Sequence, residues 1–465
     1  MRRIKDSFCG RVIIDQSEFI CSVSGHIVTV LPATKDDIEK LMPYTITAPE
    51  FIYGIDVSGF PIAFLLTRNI QASSFFPRKV ARFFSYLSAR FFTPLIIRGI
   101  SNPGSYGDIK EFDAISFAAG AINTIYNPKI AALEPVSESD ILIQDGARTI
   151  KVKPFDDYTH TAAVEIDGEK AKLLYSVYHS GEDGDTRTPF LGTLTSMIRL
   201  EFNNPQDILK IRRYYSVIHS LLAFCVRQNN VGFEVTLHRK LEGRYHKTEE
   251  CKIDDGYEDY CEREYHTVIP ITGFQNYLAK LIELICDGDI DHLTALLPES
   301  NKRLQSINIT NVQDICTALE IEYRLCDSPD KLIKDTFIGE LKKDIRATIK
   351  KFVSNHPEID VDTETTIGSC FNHLDLTLRE KIAFLYGKHQ AVIDPLIIKK
   401  QLPTIDAAGI GEFVKLRNKK THTGKVEWNE SADLYIIFLA LVYACVMQRI
   451  GLSEDEIGAN LSPLF

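Results

Sequence analysis

Three residues near the C-terminus, Arg417, Asn418 and His422, have side chains that together suit phosphoryl chemistry. Histidine is the side chain best suited to moving protons near neutral pH. Arginine offers a permanent, forked charge to phosphoryl oxygens, and asparagine both donates and accepts hydrogen bonds. Four further donors surround these three, and we expect them to hold a phosphate chain: Lys415, Lys419, Lys420 and Thr421.

These residue types favour cleavage of RNA without a metal ion. Glu412 and Glu427 are isolated in the sequence, so no group of carboxylates that could hold Mg²⁺ adjoins the three residues. In RNA the 2′-hydroxyl can attack its own phosphate while His422 moves protons and Arg417 stabilises charge. We therefore expect RNA as the substrate, no cofactor, no metal ion and no cleavage of DNA.

The segment that carries these residues is predicted to be a helix that ends near Gly424. On a regular helix Asn418 and His422 lie on one face, whereas Arg417 and His422 are about 140° apart. Arg417 and His422 converge only if the helix distorts before Gly424, or if two chains pack antiparallel and share the site. The apolar run Leu434–Met447 is too short to span a bilayer and offers a seam for a homodimer.

The N-terminal part of the chain is predicted to be rich in β-strands. With 465 residues the chain is longer than a domain with a single hydrophobic core usually is, so more than one domain is expected. Alternating β-branched residues between turn residues predict a β-rich domain over 1–195, including a hairpin at Asp167-Gly168. A strand-helix-strand subdomain is predicted over 196–290, followed by a linker over 291–310. Asn204-Pro205 is predicted to begin the main helix of this subdomain.

Residues 311–465 carry five segments with apolar residues at helical spacing. Five such helices with short connections form an all-α bundle. The predicted fold class is therefore α+β and multidomain, with a β-rich N-terminal region followed by a helical bundle.

Charge and cysteine content limit the possible function classes. A net charge of −10 argues against a protein that coats nucleic acid non-specifically. The N-terminus lacks the apolar segment of a signal peptide, and the cysteines form no C-x-x-C pair, so we expect reduced thiols and a cytoplasmic location. One zinc possibility stays open, because a hairpin could bring together His246, Cys251, Cys261 and His266.

A second Arg–His pair, Arg213 and His219, lies on the amphipathic helix predicted after residue 204. Apolar residues at helical spacing form a core stripe along that helix, and the pair flanks the stripe. We therefore interpret Arg213 and His219 as structural residues.

The C-terminal part resembles the HEPN superfamily. The segment LRNKKTH matches its Arg-polar-x3-His motif, and a short turn and an apolar helix follow it. The helix DICTALEIEYR, and a β-rich front half before the bundle, are similar to ApeA-like anti-phage proteins. The resemblance covers about 310–450 and is looser in the front half. It implies a dimeric, metal-independent endoribonuclease that leaves 2′,3′-cyclic phosphate ends, with Arg417, Asn418 and His422 as catalytic residues.

The resemblance also implies a biological role and leaves one alternative. HEPN ribonucleases often act as toxins or abortive-infection effectors, so the N-terminal domain is expected to sense a phage or host trigger or to restrain the nuclease. Many HEPN domains lack the catalytic residues and serve as scaffolds. The alternative is therefore a non-catalytic HEPN protein for dimerisation, or for binding RNA or nucleotides.

Overall fold

The computed structural model divides the chain into two compact units. The first unit comprises Met1–Tyr265 and Pro270–Cys286, and the second comprises His266–Ile269 and Asp287–Phe465. The structure describes residues 7–14, 17–32, 50–66, 72–75, 86–100, 109–134, 153–180, 193–254, 256–257, 263–298, 308–326, 329–356, 366, 376–423 and 434–465.

The first unit is built on one antiparallel sheet, which has fourteen strands among the described residues. Strands β1 to β8 span Ser7–Ile14, Ser17–Ser24, Ile27–Pro32, Glu50–Asp56, Pro61–Leu66, Ala72–Phe75, Tyr86–Phe92 and Leu95–Gly99. They are ordered β8-β5-β4-β1-β2-β3-β7-β6. Side chains from β1 to β5, β7 and β8 bury one shared apolar core, and a single sheet encloses a core in this way only by curving.

Strands β9 to β14 continue the same sheet in the order β10-β11-β12-β9-β13-β14, and β14 pairs with β8. They span Glu111–Ala118, Thr159–Ile166, Glu169–Ser180, Thr193–Asp207, Glu234–Leu241 and Arg244–Ile253. Helices α1 to α4 span Gly120–Ile125, Pro128–Ala132, Ile211–Val226 and Leu278–Cys286. Helix α3 contacts α1 and α4, and α4 also packs on β10. Twelve of the sixteen α3 residues are buried, so α3 is the main core helix of this part.

The predicted hairpin at Asp167-Gly168 is confirmed. These two residues join β10 to β11, where Ile166 pairs with Glu169. Their φ angles are 52° and 83°, and a two-residue type I′ turn requires positive φ at both positions. Local turn chemistry therefore sets the register of this strand pair.

The predicted β-rich domain, 1–195, and the predicted subdomain that completes the N-terminal region, 196–290, share one sheet. Strand β9 pairs with β12 on one side and with β13 on the other, so strands from both stretches alternate. The second unit begins at Asp287, and helix α5, Asp291–Thr294, lies within the stretch 291–310 predicted as a linker. Strand pairing of this kind joins residues far apart in the chain, and no local pattern encodes it.

The helix predicted to open at Asn204-Pro205 begins later in the chain. Strand β12 continues through Asp207, and its pairing with β9 is irregular around Pro205. Such irregularities tolerate a residue without a backbone N–H. The Asp207 side chain accepts a hydrogen bond from the Leu209 backbone and caps the short turn Ile208–Lys210, which leads into α3.

The regular structure described in the second unit is helical, which gives the chain a mixed α+β architecture. Helices α6 to α11 span Ile309–Leu325, Pro329–Asn355, Leu378–Lys400, Ala407–Thr423, Leu434–Arg449 and Glu454–Leu464. Helices α6 to α10 match the five helical patterns in the sequence, whereas α11 was not predicted. Its start carries a capping box of Ser453 and Glu456, which is a recognisable sequence signal.

Helix α10 is the central helix of the second unit. All of its residues from Leu434 to Met447 are buried except Ile436, and it packs against α6, α8 and α11. A helix that is apolar on every side requires neighbours on every side. The prediction that this run offers a seam for a homodimer is therefore wrong, because its surface is covered within one chain.

Candidate active site on helix α9

Three apolar residues hold α9 against the rest of the second unit. Ile410, Phe413 and Leu416 are almost completely buried, and their spacing places them on one stripe of the helix. The Phe413 ring meets the Phe438 ring of α10 edge-on, with centroids 4.8 Å apart. This packing orients α9 up to the residue that precedes Arg417.

Arg417 lies at the border between this stripe and solvent. Its side chain is half-buried, while the next residue, Asn418, is exposed. Arg417 Nη1 donates a hydrogen bond to Asn418 Oδ1 over 3.3 Å. Because Oδ1 accepts this bond, Asn418 offers its amide NH₂ group to solvent. The structure thus brings two of the three predicted catalytic side chains together.

Arg417 also lies near Cys316 on α6. Burial raises the pKa of the Cys316 thiol to about 12, and the positive charge of Arg417 opposes that rise. The thiol therefore stays protonated at neutral pH. A cation in this position suits an anionic ligand such as a phosphate.

The structure describes one side chain of the four predicted RNA-binding donors. Lys415 Nζ forms an ion pair with Glu412 Oε1 over 2.7 Å, and both side chains are exposed. Such a pair contributes little to stability, so Lys415 can exchange Glu412 for a phosphate group. Four predicted site residues have side chains outside the described residues: Lys419, Lys420, Thr421 and His422.

The backbone of α9 is helical without interruption through Thr423. Positions 418 and 422 therefore lie one turn apart, and positions 417 and 422 are separated by about 140° around the axis. A distortion before Gly424, which was one of the two ways for Arg417 and His422 to converge, is not seen over the described part of the helix. The other arrangement, a site completed by a second chain, is compatible with this geometry.

The four candidate zinc ligands do not form a site in the described residues. His246 is exposed on β14, whereas Cys251 on the same strand is buried. His266 belongs to the second unit, and Cys261 lies outside the described residues. Burial raises the pKa of the Cys251 thiol, which disfavours the thiolate that zinc binds. In the part of the chain that the structure covers, no three metal-ligating side chains are grouped.

A buried ion-pair cluster in the second unit was not predicted. Glu322 on α6 has no exposed surface, and its two oxygens accept hydrogen bonds of 2.8 and 3.2 Å from Arg449. His292 Nε2 lies 2.6 Å from Glu322 Oε1, and Arg449 also donates to the Asp289 carbonyl oxygen. Each charge has a partner, so the cluster braces the core. The sequence signal that could have indicated this cluster is Glu322, a carboxylate at a position of α6 where an apolar residue is expected.

Arg213 and His219 both form contacts within the first unit. Arg213 donates two hydrogen bonds of 2.7 Å to the Asp167 carboxylate, and these bonds lower the pKa of Asp167. His219 Nε2 lies 2.8 Å from the Asn229 carbonyl oxygen. Burial lowers the pKa of His219, which favours the neutral ring.

The chain was compared with known proteins, and its helices were compared with the requirements of a membrane span. Among the helices that the structure describes, none has both the length and the apolar character required to cross a membrane. No protein-family model, curated protein or solved structure matches the chain.

Proposed function

We propose that the second unit is a metal-independent endoribonuclease of the HEPN type, with its active site on α9. The observation that carries the proposal is the pair of Arg417 and Asn418, held side by side at the surface of a helix that is anchored by core residues. One turn later the same continuous helix reaches position 422. Catalytic side chains must be held in a fixed geometry, and a helix packed against the core provides this.

The residues support a balanced transesterification. The 2′-oxygen of RNA bonds to the adjacent phosphorus, and the bond from that phosphorus to the 5′-oxygen of the next nucleotide breaks. His422 accepts the 2′-hydroxyl proton, and the resulting imidazolium gives a proton to the leaving 5′-oxygen. Arg417 stabilises the phosphorane, and Asn418 orients one of its oxygens. The products are a 2′,3′-cyclic phosphate and a 5′-hydroxyl.

The proposal includes a homodimer in which two copies of α9 share the site. Arg417 and His422 lie on different sides of a continuous helix, so Arg417 of one chain would act with His422 of a second chain. The lysines beside them would hold the RNA backbone. Since α10 is covered within one chain, the contact between chains would use α9 and other exposed surfaces of the second unit.

The resemblance to ApeA-like proteins extends the proposal to anti-phage defence. In that role the nuclease acts as an abortive-infection effector, and the first unit responds to a phage or host trigger. The separation of the chain into two compact units supports a division between a regulatory part and a catalytic part.

Cleavage of RNA in the presence of EDTA tests the proposed activity. The full-length protein is incubated with mixed RNA beside Arg417→Ala, His422→Ala and Arg346→Ala, the last a matched loss of an exposed cation on α7. We expect cyclic phosphate ends from the wild type and from Arg346→Ala. Loss of Arg417 or His422 should lower the rate by at least about 100-fold.

Two outcomes would contradict the proposal. Cleavage that survives both Arg417→Ala and His422→Ala would exclude α9 as the active site. An inactive wild type that binds RNA, and loses this binding when Lys419 and Lys420 are replaced by Ala, would support the non-catalytic RNA-binding scaffold.

A further inference from the structure

A cavity of about 210 Å³ lies between α3 and the end of β14 in the first unit. Four of its lining residues come from α3, where their spacing of i, i+3, i+4 and i+7 places them on one face. The cavity takes no part in the proposed ribonuclease chemistry. It is lined by Arg212, Tyr215, Ser216, His219, Ile253, Asp254 and Tyr257.

Three of the lining residues carry rings, and each of these rings takes part in a stacked pair. The Tyr215 ring stacks on the Phe233 ring with centroids 4.1 Å apart. The His219 ring stacks on the Tyr257 ring at 4.2 Å, with the ring planes 13° apart. Stacked rings support one another and fill fixed positions. The rings of Tyr215, His219 and Tyr257 are therefore held in fixed positions in the lining, and Tyr257 is the most exposed of the three at 36%.

One lining residue, His219, offers a hydrogen-bond acceptor. His219 Nε2 lies 2.8 Å from the Asn229 carbonyl oxygen, so the N–H group of the ring is placed on Nε2. In the neutral ring, which burial favours, Nδ1 then carries a lone pair. A ligand ring with an N–H or O–H group can donate to this atom.

Two opposite charges lie at the exposed rim. Arg212 and Asp254 both line the cavity and are both exposed. Neither has an ion-pair partner among the residues that the structure describes, whereas the adjacent Arg213 is bound to Asp167. A guanidinium pairs well with a carboxylate, and a carboxylate pairs with an ammonium group. A doubly charged phosphate would be repelled by Asp254, while a zwitterion would satisfy both rim charges.

We infer that this cavity binds a free aromatic amino acid whose ring carries a hydrogen-bond donor, such as tryptophan or tyrosine. The ring of the ligand enters beside the aromatic lining residues and donates to His219 Nδ1. The carboxylate pairs with Arg212, and the ammonium group pairs with Asp254. Cavities for larger ligands enclose roughly 300–1,000 Å³, so the smaller volume here matches one amino acid. This inference does not depend on the proposed ribonuclease.

Isothermal titration calorimetry on the full-length protein tests the site with five probes. These are L-tryptophan, L-tyrosine, tryptamine without the carboxylate, N-acetyl-L-tryptophan without the ammonium group, and AMP. We expect at least one of the two amino acids to bind. Both tryptophan analogues should bind at least about 10-fold more weakly than tryptophan, since each lacks one charged pair.

Variants at the rim connect each loss to one residue. Arg212→Gln should weaken binding of the amino acid but leave binding of tryptamine unchanged. Asp254→Asn should also weaken binding of the amino acid but leave binding of N-acetyl-L-tryptophan unchanged. Arg244→Gln, an exposed arginine outside the cavity lining, is the matched control and should change nothing. All three positions are exposed, so the variants are expected to fold, and circular dichroism verifies this.

Three results would overturn the inference. The first is no binding of either amino acid at millimolar concentration. The second is equal binding of tryptophan and both analogues, which would show that Arg212 and Asp254 do not recognise the ligand. The third is binding of AMP, with neither amino acid bound, that is lost in Arg212→Gln.

Discussion

Glu322 and Arg449 are joined by two hydrogen bonds although 127 residues separate them in the chain. The carboxylate belongs to α6, the first long helix of the second unit, and the guanidinium belongs to the end of α10, its central helix. The pair therefore connects two helices that are distant in sequence. Because Glu322 has no exposed surface, its charge depends on Arg449 for compensation.

Replacement of Arg449 should strongly destabilise the second unit. Arg449→Met leaves the buried Glu322 charge without its main partner, and we expect a loss of about 3–5 kcal/mol in the free energy of unfolding. Urea unfolding followed by helical circular dichroism measures this loss. Glu322→Leu combined with Arg449→Met removes both charges and should cost less than the sum of the two single changes. A loss below about 1 kcal/mol for Arg449→Met would contradict the bracing role.

The stability of the second unit should fall as the pH is lowered from about 6.5 to about 4. His389 is 2% exposed, and burial lowers its pKa to about 4. Between these pH values the unfolded chain binds a proton that the folded chain does not, so acid favours unfolding by up to about 3 kcal/mol. His389→Gln should flatten this dependence in urea unfolding measured at several pH values. An identical pH slope in wild type and variant would contradict the prediction.

Gly54 should not tolerate a side chain. An added Cβ atom would lie 2.0 Å from the Arg11 carbonyl oxygen on β1, so Gly54→Ala must separate β4 from β1. We expect a loss of at least about 2 kcal/mol. Gly339→Ala on the exposed helix α7 is the matched control, because no atom lies within 4 Å of its added Cβ. That change should be neutral or stabilise the helix by up to about 1 kcal/mol.

Mixing two inactive variants tests whether the site is shared between chains. If Arg417 of one chain acts with His422 of another, a dimer of Arg417→Ala and His422→Ala chains contains one intact site. After subunit exchange at equal concentrations, we expect about a quarter of the wild-type cleavage rate. Each variant incubated alone serves as the control. Failure of the mixture to recover activity, with exchange shown by mass spectrometry, would favour a site within one chain.

Local patterns predicted much of the second unit. Apolar residues at helical spacing located α6 to α10, because a helix that buries one face needs that spacing wherever it lies in the fold. The turn at Asp167-Gly168 was predictable for a similar reason, since a type I′ turn demands particular residues at both positions. The Arg417–His422 motif was also visible in the sequence, although chance alone produces such spacings.

The start of α3 shows where local patterns mislead. Asn204-Pro205 has the residue types of a helix start, but β12 extends past it because Gln206 and Asp207 pair with β9 and hold the backbone extended. Tertiary contacts outweigh an intrinsic preference of this size. The cavity beside α3 could not be predicted either, because Asp254 and Tyr257, which line it, come from the residues after β14.

The sequence by itself determined the helical segments α6 to α10, where the Asp167-Gly168 hairpin turns, and which residues on α9 could do chemistry. Each of these depends on neighbours a few residues away. Only the tertiary structure decided that β9 lies between β12 and β13, that α10 is covered within one chain, and that Glu322 meets Arg449. Such pairings depend on which apolar surfaces and charges from distant parts of the chain are buried together. Local periodicity in the sequence does not specify these long-range contacts.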